Sequence, residues 1–264
     1  QDAVSQRVSG QYAKSPFPRW RGLHTSASGI LRTALLRFFP DDRLRFMDEP
    51  FDVLIAATGT GQHALQAALD YGPTARVLAI DISAPSLAYA ERQRRELGIT
   101  NVSFAVADIL ELGSLGGTFD VIECVGTLHH MADPWAGLRA LTDCLARRGL
   151  LYLGLYSQRA RQHISDIEHD HAYPGRGCSD AVARAFRADL LSRPESSLGA
   201  RIALSPSFWN LNEFRDLVLH EQEHRLTLPT IDQALRSHDL AFRGFTLDRK
   251  TLTRFGQMFP GDNG

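Results

Sequence analysis

Cysteine is scarce in this chain. Cys124, Cys144 and Cys178 are too few and too scattered for a disulfide framework, so a reducing cytoplasm is the expected setting. No apolar run approaches the ~20 residues of a membrane span, and no secretory leader is visible, so no membrane partner is expected. An excess of charge is missing too, with 29 basic residues against 30 acidic ones. That balance argues against general nucleic-acid binding. No internal repeat is found. The first residue is not methionine, which fits an excised domain or a processed product. What remains is a chain of 264 residues, enough for one large core with insertions.

The most informative stretch runs Val53-Leu54-Ile55-Ala56-Ala57-Thr58-Gly59-Thr60-Gly61-Gln62. An apolar run ending in a glycine turn reads as a buried parallel strand. The turn opens a helix over His63 to Asp70, whose N-terminal amides would face a bound anion. A second apolar run, Val77-Leu78-Ala79-Ile80, ends in Asp81, a carboxylate placed to accept hydrogen bonds from two ribose hydroxyls. The pair describes a nucleoside-containing cofactor across the carboxyl ends of two strands. Gly59-x-Gly61-x-x-Ala64 also satisfies the dinucleotide fingerprint, so the loop alone leaves a nicotinamide oxidoreductase open. Further strands are expected at 101–109, ending in Asp108, at Phe119 to Cys124, and after Arg147-Arg148-Gly149. The alternation implies a doubly wound, mainly parallel α/β sheet.

This order, with Leu128-His129-His130-Met131-Ala132-Asp133-Pro134 after the fourth strand, resembles the class I S-adenosylmethionine-dependent methyltransferases over roughly residues 50 to 157. The resemblance implies a Rossmann-like sheet and S-adenosyl-L-methionine as cofactor. It passes Ala57, Thr58, Gly59, Thr60, Gly61 and Gln62 beneath the methionine part and ribose. Asp81 takes the ribose hydroxyls, with Ser83 beside it, and Ile82 packs on the adenine. Ala107, Asp108 and Ile109 hold the adenine edge, and Glu123 and Cys124 flank the cofactor. With the segments around Gln11 to Trp20, Leu153 to Ile164 and Phe214 to Pro229, the chain resembles a bacterial methyltransferase subfamily often found downstream of tetratricopeptide repeats. An upstream repeat domain in the same polypeptide is implied as a partner. No acceptor is fixed, so a small molecule and a peptide or protein side chain both stand. Three departures from the family pattern are Ile55, where an acidic residue is common, Ala57, where a glycine is usual, and Arg147-Arg148, where Pro-Gly is usual. The last two leave a non-catalytic binding module as a further reading.

The expected organisation is a helical lead over 1–49, a cofactor core over 50–157, a helical cap over 158–230, and a tail over 231–264 that completes the core. The lead carries one helix around Ile30 to Phe39 and a loop from Pro40 to Pro50. The cap carries helices at Ser179 to Ser192 and Leu211 to Gln222. The tail adds a sixth strand at Ala241 to Thr246 and a terminal loop from Phe259 to Gly264. Methyl transfer from a sulfonium needs an in-line acceptor and, for weak nucleophiles, a base. His129 and His130 are the candidate base or orienting groups, with Tyr156 at the end of the fifth strand. Tyr12, Arg159, Arg215, His220 and His224 are candidate acceptor-pocket residues, and Tyr12 and Trp20 could form a lid. His220-Glu221-Gln222-Glu223-His224 matches His-Glu-x-x-His. Pro229 and an extended step follow too closely for a helical zinc site, and no metal is expected.

Overall fold

The apolar runs become strands because both of their faces can be buried. β1 (Phe51–Ala56), β2 (Ala75–Asp81), β3 (Val102–Val106), β4 (Phe119–Val125) and β5 (Leu145–Gly154) form a single sheet. The computed structural model describes residues 3–14, 16–194 and 197–261. Strand order is β3-β2-β1-β4-β5 and every neighbouring pair is parallel, a Rossmann-like arrangement. The chain builds outwards from β1 to β3 and then returns to place β4 on the other side of β1. Order reverses there, which opens a crevice at the carboxyl ends of β1 and β4. Ala56 is in register with both Ile80 and Cys124, so three strand ends lie level at its rim.

Side chains alternate between the two faces of the sheet. Val53 and Ile55 pack with Ala64, Leu65 and Ala68 of α4 (Gln62–Tyr71) and with Trp20, Leu44 and Met47 from the N-terminal lead. Leu54, Ala56 and Ile122 pack with Leu138 and Leu141 of α6 (Pro134–Asp143) on the opposite face. Ser83 caps α5 (Ala84–Glu96), and Asp133 caps α6 by accepting from the Trp135 amide at 2.9 Å. Pro134 at the first helical position completes that start. The Asp-Pro of the sequence pattern is therefore a helix initiator that fixes where the preceding His-His turn ends.

The lead is more helical than expected. α1 (Ala3–Lys14) precedes α2 (Ile30–Leu35), and α3 (Asp41–Leu44) lies inside the expected loop. The apolar stripe of α1 is only Val4, Val8 and Tyr12, too thin to stand out from its polar neighbours. The cap comprises α7 (Gln162–Glu168), α8 (Asp180–Ser192), α9 (Leu198–Ala203) and α10 (Leu211–Val218). It buries a core of its own around Ile167, Phe186, Leu190, Phe208 and Phe214. A parallel bridge between Ser157 and Leu226 ties it to the sheet, with Leu226 N donating to Tyr156 O at 2.8 Å.

The tail departs from expectation. α11 (Leu228–Ser237) starts ahead of residue 231, and Ala234 joins the core beside Leu138. Residues 241–248 form no strand. Among the described residues nothing lies beyond β5 to extend the ladder, and an isolated strand leaves its backbone groups unpaired. α12 (Arg249–Met258) follows. The terminal loop holds for residues 259–261, and 262–264 lie outside the described residues.

Candidate active site

The glycine turn uses its own amides. Thr58 N donates to Ile80 O at 2.9 Å, Thr60 N to Phe17 O at 3.1 Å, and Gly61 N to Thr58 O at 3.0 Å. Gly59 N donates to Asp81 Oδ2 at 2.7 Å. A pyrophosphate cradle needs such amides free, so the anion-facing turn expected from the sequence is not formed at these four residues. The dinucleotide alternative loses its main support. Gly59 and Gly61 sit at φ 56° and 88°, and a Cβ on either would collide, with the Phe17 carbonyl and with Ala90 respectively.

Two of the three departures from the family pattern fall on left-handed backbone. Ala57 has φ 59° and Arg148 φ 69°, a conformation that costs an L-residue about 1–2 kcal/mol. Ala57→Gly is expected to raise unfolding stability by about 1 kcal/mol after glycine's own entropy cost is deducted, read from urea denaturation. A fall in stability would show that the Ala57 methyl, packed beside the Leu54 cluster, outweighs the strain.

A cavity of about 60 Å³ opens at the crevice. Ala57, Asp81, Ile82, Ala107, Asp108 and Ile109 line one side, Thr127, His130 and Met131 the other, and Ser5 and Val8 of α1 reach in from above. Asp81 is buried, which raises its pKa, yet Gly59 N and Ser83 N (2.8 Å) both point at its carboxylate. Asp108 Oδ1 accepts from Leu110 N at 3.0 Å, whereas Oδ2 is buried with no partner among the described residues, as is Thr58 Oγ1. Buried polar atoms are normally satisfied, and the amino group of a nucleoside would satisfy Asp108 Oδ2, which lines the cavity as Thr58 does not. The residues fit such a group, but the space is too small. Small-molecule pockets start at roughly 300 Å³, and Ser5 and Val8 of α1 take up part of the space here. A larger cavity, about 270 Å³, lies between Arg43, Asp120 and Arg147–Gly149 at the amino ends of β4 and β5, the wrong end of a parallel sheet for a ligand site.

Not every expected cofactor residue lines the crevice. Glu123 points the other way, beneath α4, and pairs with His63 Nε2 and the Tyr71 hydroxyl, each at 2.5 Å. Cys124 is fully buried in the core beside Ala56, and burial pushes its thiol up to about 12. Side-chain alternation explains both: β4 reaches the rim with residues that face the packed helices. Thr60 anchors the lead, with its hydroxyl 2.5 Å from Pro18 O and its carbonyl 3.3 Å from Trp20 Nε1. Trp20 is core, not lid. Gln62 opens α4.

The acceptor side is a stack of rings. His129 is fully buried and lies 3.8 Å from the Tyr156 ring, nearly parallel. The Arg161 guanidinium covers Tyr156 at 4.3 Å. Neither His129 nitrogen has a partner among the described residues. Burial, with His130 and His220 adding to it, holds His129 down at about 2. Burial and then Asp216 push Tyr156 up to about 12. His129 is thus held neutral, which favours the orienting role over that of a base. Tyr156 remains a donor. His130 lines the cavity itself.

Of the remaining candidates, Tyr12 and His220 meet, with the Tyr12 hydroxyl 3.1 Å from His220 Nε2. His224 anchors the cap, with N donating to His129 O at 2.7 Å and Nε2 facing Met131 O at 3.0 Å. Arg159 is exposed. Arg215 pairs with Asp180 and the Cys178 carbonyl within the cap. Neither arginine lines the cavity. α10 ends at Val218, so His220 to His224 is not helical and the His-Glu-x-x-His spacing places no two imidazoles on one helix face. Arg161 and Glu223 escape a reading of the sequence, because their only signal is charge inside an otherwise apolar cap, whereas Asp216 stands beside Arg215 and His220 as an acceptor-pocket or cap-anchoring candidate.

Residues 47–189, more than half of the chain, match the family described as methyltransferase domain. The chain belongs to that family. This methyltransferase domain is 29% identical over 270 residues to the uncharacterized protein syc1184_c from Synechococcus sp., covering 93% of this chain and 61% of that one. Its fold is similar to PKMT2 from Rickettsia typhi. The TM-score is 0.64 at 16% identity for the structure in complex with AdoHcy, and 0.66 at 17% for a second structure of PKMT2. Each comparison covers 91% of this chain and 50% of that one. The methyltransferase domain therefore spans less than two thirds of the length of the curated relative and half of the PKMT2 chain. No helix among the described residues is long and apolar enough to cross a membrane.

Proposed function

We propose that this methyltransferase domain binds S-adenosylmethionine at the β1–β4 crevice and methylates an acceptor that enters beneath the cap. One observation carries the reading: residues expected for the cofactor (Ala57, Asp81, Asp108) and for the acceptor (His130) line one cavity. The cofactor supplies an activated methyl group on a sulfonium. Asp81 holds the ribose hydroxyls and Asp108 Oδ2 takes the adenine amino group. His130 faces the acceptor, the His129–Tyr156–Arg161 stack backs it, and the cap keeps water out. The AdoHcy held by PKMT2 and the occupied turn amides support this donor over a dinucleotide. The acceptor class is a small molecule or a peptide or protein side chain. An upstream repeat domain in the full-length protein and a cytoplasmic setting, in keeping with three free thiols, complete the proposal.

Calorimetry separates the alternatives. S-adenosylhomocysteine is expected to bind with a micromolar dissociation constant and NAD⁺ to give no measurable heat. The reverse order would make the domain an oxidoreductase module, and silence with both ligands would make it a non-catalytic one.

A further inference from the structure

Three ligand-type side chains from separate parts of the chain converge beside the cavity. His130 comes from the turn after β4, Asp216 from α10, and His220 from just beyond α10. All three are buried, and one ligand atom from each lies within 4.8 Å of the other two. The two imidazoles stack with centroids 3.5 Å apart. Both Nδ1 atoms face one carbonyl, Gln222 O, at 2.6 Å from His130 and 2.8 Å from His220. A carbonyl can only accept, so His130 Nδ1 carries the hydrogen; His220 Nδ1 meets both the Gln222 carbonyl and, at 3.2 Å, the donating Gln222 amide, and it serves the site in the tautomer that donates to the carbonyl. A neutral ring protonated there keeps its lone pair on Nε2. Anchoring one ring nitrogen on a backbone carbonyl is how metal-bound histidines are oriented.

The Tyr12 hydroxyl lies 2.8 Å from Asp216 Oδ1 and 3.1 Å from His220 Nε2, and one His130 ring nitrogen belongs to the same group. A cation would be shared by all three side chains. Two imidazoles and a carboxylate are the donor set of zinc sites that leave a fourth position for another ligand, and the Tyr12 hydroxyl stands at that position. Metal–ligand bonds of about 2.0–2.2 Å require the three side chains to draw in and the two stacked rings to turn, because imidazole lone pairs lie in the ring plane.

We propose that His130, Asp216 and His220 form a binding site for a divalent transition-metal ion of the zinc class, with Tyr12 at its fourth position. The ion ties α1, the turn after β4 and the cap together. The site shares His220 with the His-Glu-x-x-His spacing but uses neither Glu221 nor His224, and it does not depend on the identity of the methyl donor or acceptor.

Zn²⁺ titrated by calorimetry into the chelator-stripped 264-residue protein is expected to fill one saturable site at micromolar affinity or tighter. Asp216→Asn and His220→Gln are each expected to weaken it by on the order of 100-fold, with folding checked by far-UV circular dichroism. His171→Ala, at an exposed histidine, should leave it unchanged. Co²⁺ in the wild-type protein should give the visible bands of a four-coordinate ion, which reads the site without any substitution. Absence of a saturable site, survival of binding in both variants, its loss in His171→Ala, or a Co²⁺ spectrum like that of the hydrated ion overturns the proposal.

Discussion

Asp81→Ala is expected to weaken S-adenosylhomocysteine binding by about 100-fold or more. Hydrogen bonds to a charged group contribute about 1.5–3 kcal/mol each, and two ribose hydroxyls converge on this carboxylate in the proposed complex. Losing both exceeds the ~2.7 kcal/mol that separates a hundredfold in affinity. The side chain also shapes the site before any ligand arrives, because Oδ2 holds Gly59 N and Oδ1 holds Ser83 N. Alanine frees both amides and loosens the turn together with the helix start at Ser83. Asp81→Asn is expected to lose nearly as much, since its amide would set donors against one of those N–H groups. Calorimetry with each variant, beside a thermal melt, checks this. Affinity within threefold of wild type in a folded Asp81→Ala protein would place the ribose elsewhere.

Arg161→Met is expected to cost about 3–5 kcal/mol of stability, the usual penalty for breaking a buried ion pair from one side. Arg161 and Glu223 side chains are 9% and 3% exposed, too little for water to replace the lost partner. The guanidinium makes two bonds to Glu223, at 3.1 and 2.5 Å, and one to Leu217 O at 2.7 Å. Methionine leaves that carbonyl unpaired and Glu223 with only Arg225, 2.7 Å away. Adding Glu223→Gln is expected to return part of the loss, because the stranded charge is gone. Urea unfolding of the single and double variants measures the coupling. A loss below 1 kcal/mol for Arg161→Met would show that solvent reaches the pair.

Much of the core was legible because its signals are local. Val53 to Ala56 and Val77 to Ile80 are apolar on both faces, which only a covered parallel strand accommodates, and Asp81 and Asp108 mark the ends where the crevice opens. The Asp133-Pro134 pair, part of the family pattern, opens α6 in the structure. Other features depend on partners far away in sequence. Glu123 reads as a rim carboxylate until its pairing with His63 and Tyr71 is seen. The Ala241 to Thr246 segment has strand composition but no neighbour to bond. α1 presents an apolar stripe too narrow to notice, and only its docking over the crevice shows what Val8 and Tyr12 do. The ring stack of His129, Tyr156 and Arg161 joins the turn after β4, the end of β5 and the start of α7, and no spacing rule connects them.

α1 also bears on the tempo of this protein. Where a nucleoside fills the crevice, Ser5 and Val8 have to give way, and if the helix moves as a body the accepting form is the one in which it has swung clear. Apparent affinity is then the intrinsic affinity scaled down by that form's population. Uptake can run no faster than the helix departs, however much ligand is supplied. Any neighbouring domain that gripped α1 would act as an accelerator without touching the chemistry.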